Sequence, residues 1–337
     1  MSNVTANIIH SAFKKNRPLN ILTFCTHERY ETGLCLTGHN FYAFRAQGIK
    51  DWNNDYGKCP DNYVLLDPAK EWGQLLDCVE FDLILSQNKF GQFQYASELS
   101  RRLQLPLVSL EHTLPMPNWN VSKLNDCQKM RGDINVFISD YSIGRWGWFD
   151  GPDTCVIKHM VDTDIFCPDD RERENHMLSV VNDWVNRDWC CNFSGWKRVS
   201  EGLPVKVLGD TEGLSKPAPS IQALADEYRS SRIFLNTSTI SPVPTALLEA
   251  MACGCAVVST ATCMIPEVIN NGVNGFISND EKELRKICET LLKDEAFCKS
   301  IGKQASKTIE EKFHKDRFIS EWNTVFNAAS NMVYGVK

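Results

Sequence analysis

The group in this sequence best placed to do chemistry is the carboxylate of Glu249, surrounded by Leu247, Leu248, Ala250, Met251, Ala252 and Cys253. A carboxylate in apolar surroundings needs partners to offset its desolvation, and a ribose diol, which donates two hydroxyls, is a good one. The residues around it read as a proline-containing loop, a helix over 245–253, a stop at Gly254 and a buried strand over 256–259. The start of that helix offers unpaired N–H groups, those of Thr245 and Ala246, and the positive end of a dipole. Phosphate or sugar hydroxyls can be held there.

A second candidate is His112, at the carboxyl end of a predicted strand over 107–110. A neutral imidazole there can hydrogen-bond a hydroxyl. The stretch 26–33, after the first predicted strand, is charged and bulky, and His27, Arg29 and Glu31 in it are candidate contacts to an acceptor or a phosphate. Asp162 and Asp164 have the spacing of a DxD metal motif but fall in a hinge-like segment, and no metal is expected at them.

These groups need elements to position them. In the first half, strands are predicted over 19–25, 40–44, 81–86, 107–110 and 136–139, with helices over 31–37 and 93–103. In the second half, strands over 177–181, 205–208, 233–235 and 256–259 alternate with helices over 245–253, 281–292 and 295–313. Short apolar strands separated by helices imply parallel sheets covered on both faces. The chain divides near residues 156–162, and two such domains leave a cleft at the carboxyl ends of their strands.

The second half is similar to the nucleotide-sugar signature of family 4 glycosyltransferases. Glu249-Ala250-Met251-Ala252-Cys253-Gly254 resembles the family's core motif, and Ile265-Pro266-Glu267-Val268-Ile269 followed by Asn271-Gly272-Val273-Asn274-Gly275-Phe276 resembles its continuation. Residues 156–168 resemble its interdomain segment, and residues 34–41 its first helix and second strand.

The resemblance implies an α/β protein of the GT-B fold, with two Rossmann-like parallel-sheet domains and an interdomain cleft. Residues 1–157 would form the acceptor-side domain and 158–317 the nucleotide-sugar-binding domain, with a last helix over 318–337 packing back on the first. The reaction implied is transfer of a sugar from a nucleoside-diphosphate sugar to an acceptor hydroxyl, with retention, no metal and no other cofactor. Glu249 would hold the ribose and His112 would face the donor sugar. A departing diphosphate needs positive charge, and Arg187 and Lys197 stand nearest to the family's arginine and lysine, although its usual Gly-Arg-Leu is missing. Ser241 occupies the place of a second glutamate, and Pro242-Val243-Pro244-Thr245 replaces a glycine-containing turn, removing two backbone donors. The donor set is then Glu249, Ser241, Thr245 and Ala246.

Composition sets outer limits. The chain has 337 residues, 43% of them hydrophobic and 23% charged, with a net charge of -6, which suits two globular domains rather than a protein that coats nucleic acid. Its fourteen cysteines lie in apolar stretches, as buried reduced thiols do. Residues 1–20 lack an apolar core of signal-peptide length and no stretch is long enough for a membrane span, so a cytoplasmic protein is expected, with peripheral membrane contact left open. The acceptor class (glycan, lipid-linked sugar, protein or modified DNA base) and the oligomeric state are not legible. Two other readings remain: a non-catalytic nucleotide-sugar-binding protein, motivated by Ser241, and another enzyme of the same fold, such as an epimerase.

Overall fold

A computed structural model describes residues 17–45, 52–75, 79–149 and 151–332. Residues 1–16 and 333–337, which the expected domain limits include, lie outside the described residues.

Two parallel sheets organise the chain. The first has seven strands in the order β3-β2-β1-β4-β5-β6-β7. These are β1 (Asn20–Phe24), β2 (Asn40–Phe44), β3 (Tyr63–Leu66), β4 (Leu83–Ser86), β5 (Leu107–Glu111), β6 (Ile134–Phe137) and β7 (Thr154–Val156). The second has five in the order β12-β11-β10-β8-β9, namely β8 (Glu174–Val180), β9 (Val205–Leu208), β10 (Ser231–Asn236), β11 (Ala256–Ser259) and β12 (Phe276–Ile277). Every pairing is parallel.

The strands read as short apolar runs are buried on both faces. Along β10, Phe234 enters one core cluster while Ile233 and Leu235 enter another beneath the helix Glu281–Lys293. Along β1, Ile21 and Leu22 divide in the same way. This is the period-two alternation of a strand sandwiched between helical layers.

In the first sheet the strand order reverses between β1 and β4, so the loops after these strands open on the crevice where parallel sheets bind ligands. The helix Lys315–Ser330 packs against the helix Glu28–Cys35 and against β4 and β5. Its Phe318, Trp322, Val325, Phe326 and Ala329 are buried at helical spacing. The second domain's own last helix, Glu295–Lys312, lies on the helix Thr245–Ala252 and on β11. The approach is close because Gly302 rests on Gly254: a Cβ at Gly302 would stand 2.1 Å from the Gly254 carbonyl oxygen.

The domains touch on two rims. On one, the Tyr56 hydroxyl donates to the Ala218 carbonyl at 2.6 Å and the Ile221 N–H to the Asp55 carbonyl at 2.9 Å. On the other, the Tyr141 N–H donates to Glu267 at 2.8 Å, and Lys158 lies 3.6 Å from the same carboxylate. Among the described residues no helix is long and apolar enough to cross a membrane.

One local expectation is corrected. The helix expected over 31–37 begins already at Glu28 and ends at Cys35, so most of the charged stretch after β1 is helical. Glu28 and Glu31 fall in its first turn, where carboxylates suit the helix dipole.

Candidate functional site

Between the domains lies a cavity of about 670 Å³, within the size range of small-molecule sites. Its first-domain wall comes from the segments just beyond the carboxyl ends of three strands: Thr26, His27 and Arg29 after β1, Gln87 and Asn88 after β4, His112 and Thr113 after β5. Thr245, Leu248 and Glu249 face them from the helix Thr245–Ala252. Val161 and Asp162 of the interdomain segment and Phe318 of the last helix are also part of the lining.

The second-domain wall is built around Glu249. Its helix starts after Pro244 and ends in an αL turn at Gly254, where φ is +81° and the Cys255 N–H donates to the Ala250 carbonyl at 3.0 Å. Glu249 is 5% exposed. One of its oxygens accepts from the Tyr228 hydroxyl at 3.1 Å, and the other is paired with Arg29 of the first domain. The Arg29 guanidinium lies 5.9 Å from the centre of the Tyr56 ring. Burial works against its charge, but Glu249, with Tyr228 and Tyr56 adding to it, holds it above its ordinary value.

The first-domain wall is built around a buried network. Glu31 is fully buried, and one of its oxygens accepts from the Thr26 N–H at 3.1 Å, the Thr26 hydroxyl at 2.7 Å and the Gln87 amide at 2.8 Å. The expectation that Glu31 meets an acceptor or a phosphate therefore does not hold. It faces inward and shapes the loops after β1 and β4. Burial pushes its carboxyl up to about 7, although the bonds from Thr26 and Gln87 pull the other way.

Gln87 carries this order to His112. The Gln87 amide nitrogen faces three acceptors: Glu31, the Thr23 hydroxyl at 3.2 Å and the Phe24 carbonyl at 3.1 Å. Its oxygen faces His112 Nε2 at 3.4 Å, a contact that suits a proton on Nε2 and an acceptor lone pair on Nδ1. Burial, then neighbouring His159 and His27, push the His112 pKa well down, which keeps the ring neutral. Tyr30 packs edge-on against His112 at 4.4 Å and lies 5.1 Å from His159 and 5.6 Å from Phe318, giving the cavity an aromatic floor. Glu111 lies outside the cavity. It accepts from the Lys89 N–H at 2.9 Å and the Thr113 N–H at 2.8 Å, which ties the loops after β4 and β5 together.

The structure thus gathers His27, Arg29, His112, Thr245 and Glu249 on one cavity. Ser241, Ala246, Arg187 and Lys197 are not among its described lining residues. Ala246 packs against the core, Arg187 is exposed and donates to the Asn182 carbonyl at 3.4 Å, and Lys197 lies 4.7 Å above the Phe193 ring. Asp162 accepts from the Asp164 N–H, and Asp164 pairs with Lys315 at 2.5 Å. Among the described residues no cluster of three His, Cys, Asp or Glu is arranged to hold a metal ion. Sequence reasoning missed Gln87, Tyr228, Tyr56 and His159. Gln87 carried a usable signal, since it follows β4 as His112 follows β5, and the carboxyl ends of neighbouring parallel strands open on one crevice.

Comparison with known proteins bears on the fold and on the second domain. Residues 218–308 match the family model described as "Glycosyl transferases group 1". Over 82 residues the chain is 34% identical to N-acetyl-alpha-D-glucosaminyl L-malate synthase of Bacillus anthracis, a match covering 24% of this chain and 22% of that protein. The architecture is similar over far more of the chain. Sucrose-phosphate synthase from Thermosynechococcus elongatus superposes with a TM-score of 0.75 at 12% identity, over 92% of this chain and 98% of that one. Anabaena HepE in complex with UDP-glucose superposes with a TM-score of 0.73 at 15% identity, over 92% and 100%. The chain has the GT-B fold, and the sequence match to group 1 glycosyl transferases falls on the domain that carries Glu249.

Proposed function

We propose that this protein is a glycosyltransferase that moves a sugar from a nucleoside-diphosphate sugar to an acceptor hydroxyl, with retention and without a metal ion. The observation that carries this reading is Glu249: a carboxylate on a cavity wall, at the second turn of a helix whose N-terminus opens on the same cavity, within the segment that matches group 1 glycosyl transferases. Two ribose hydroxyls can donate to it, and a diphosphate can lie at the helix N-terminus beside Thr245. The His112 Nδ1 lone pair on the opposite wall can accept from a sugar hydroxyl. HepE, of like architecture, is described with UDP-glucose, which makes UDP a natural first probe.

Calorimetry tests the reading. Among UDP, GDP and ADP, at least one binds the native protein, and Glu249→Ala weakens it by about 1.5–3 kcal/mol, the scale of a hydrogen bond to a charged group. Unchanged affinity would remove Glu249 from the site. Run on the matching nucleotide sugars in EDTA, with the product anomer read by NMR, the same comparison covers metal independence and retention. Ser241, in the place of the family's second glutamate, motivates the rival reading of a binding protein without turnover, and binding with no sugar release would favour it.

A further inference from the structure

A nucleoside diphosphate brings at least two negative charges into the cleft, and the lining shows what can meet them. Among the described lining residues, Arg29 is the one guanidinium, Lys58 the one amine, and Asp162 and Glu249 the carboxylates. Lys58 is solvent-exposed. Burial pushes the lining histidines His27, His112 and His159 toward the neutral form. Arg187 and Lys197 are off the cavity. That leaves Arg29, which stands in the first domain and reaches across the cleft to Glu249.

The same contact raises a conflict. If Glu249 takes the ribose hydroxyls, its pairing with Arg29 competes with the nucleotide, because the oxygen facing Arg29 has a limited set of lone pairs and the other oxygen already accepts from Tyr228. A guanidinium released from a carboxylate in a half-buried cleft needs another anion. The diphosphate of the same nucleotide, a short step along the molecule from the ribose, is that anion, and guanidinium groups pair well with phosphate oxygens.

We propose that Arg29 is the diphosphate-binding cation of this cleft, paired with Glu249 until ribose hydroxyls take that carboxylate and then exchanged onto the diphosphate. The inference rests on the reading of Glu249 as the ribose ligand. Arg29 then has two effects of opposite sign: it competes with the ribose and attracts the diphosphate. A nucleoside feels only the first, a nucleoside diphosphate both. The exchange also links the domains, since Arg29 stays in the first domain while it changes partner from the second domain to the ligand.

The test is calorimetric titration of UDP, GDP and ADP and of uridine, guanosine and adenosine into the native protein, Arg29→Gln, Arg29→Lys and Glu249→Gln. For the base that binds best, the quantity read is the ratio of diphosphate affinity to nucleoside affinity within one preparation. That ratio does not depend on the fraction of protein that is folded. In Arg29→Gln the ratio falls about ten- to a hundredfold, the effect of losing a charged hydrogen-bond partner, and nucleoside affinity is tighter, because the competitor for Glu249 is gone. Arg29→Lys, which keeps the charge and loses the fork, gives an intermediate ratio. A ratio in Arg29→Gln equal to the native one overturns the proposal and leaves the charge to Lys58 or to the helix N-terminus. Equal weakening of nucleoside and diphosphate overturns it too, because Arg29 would then only shape the pocket. Glu249→Gln separates the two levels: native nucleoside affinity in that variant sinks the ribose reading itself, whereas weakened nucleoside binding beside a native ratio in Arg29→Gln sinks only the exchange.

Discussion

At the scale of single residues, the site depends on groups whose charge is set by burial. His159 is pushed down to about 4 by burial, with His27 and Arg317 adding to the effect. In the unfolded chain it takes up a proton near its ordinary value of 6.5. Between those values the unfolded state binds more protons, so its contribution to stability is lost as pH falls from 6.5 to 4. Glu31 works in the opposite sense. Its folded value of about 7 lies above the ordinary 4.5, so the folded state binds more protons between these values and stability is lost as pH rises through that window. The two windows overlap between pH 4.5 and 6.5, where the slopes oppose each other, so thermal melts from pH 4 to 8 read each one by its removal: relative to the native protein, His159→Asn gains stability as pH falls from 6.5 to 4, and Glu31→Gln gains it as pH rises from 4.5 to 7. Slopes unchanged by either substitution would mean that these groups are not buried in the folded protein. Glu31 also shows where sequence reading stops. Its type and position were legible, but its direction was not, because whether a first-turn carboxylate faces solvent or Gln87 depends on the segment after β4, 56 residues further on.

At the scale of elements, most strands could be read because burial on both faces leaves an apolar run that no exposed segment would carry. β3 escaped because it is an edge strand with Val64 exposed, so its pattern is weak. The helix Thr245–Ala252 was legible with its stop, since Gly254 adopts a positive φ that other residues rarely do. The role of Gly302 was not, because nothing in the sequence says that the helix Glu295–Lys312 must lie directly on the Gly254 carbonyl. Gly302→Ala is expected to destabilise the protein by about 1–2 kcal/mol net, since the backbone overlap exceeds the ~1 kcal/mol that alanine brings to a helix interior. The shift would displace the helix that holds Glu249, so nucleotide affinity falls with stability. A melting temperature equal to or above the native one would show that the two helices are not packed through these glycines.

At the scale of the whole molecule, the two sheets matter because neither domain contains a complete site. Glu249 and Thr245 stand on one wall, Arg29 and His112 on the other, and the last helix ties the second domain's chain back onto the first through Phe318 and Trp322. Division into two parallel-sheet domains was legible from strand and helix alternation. The pairing across the cleft was not, because Arg29 and Glu249 are separated by 220 residues and only the folded arrangement brings them together. The central claim is that sugar transfer needs both walls. The rate of nucleoside diphosphate release from UDP-, GDP- or ADP-glucose at saturating donor, compared between the native protein and His112→Ala, tests it most directly. The expected result is release by the native protein from at least one donor and a rate about a hundredfold lower in His112→Ala, the scale of removing one polar contact to the reacting group, with KM little changed. Equal rates in the two proteins, or no release by the native protein from any donor, would contradict it.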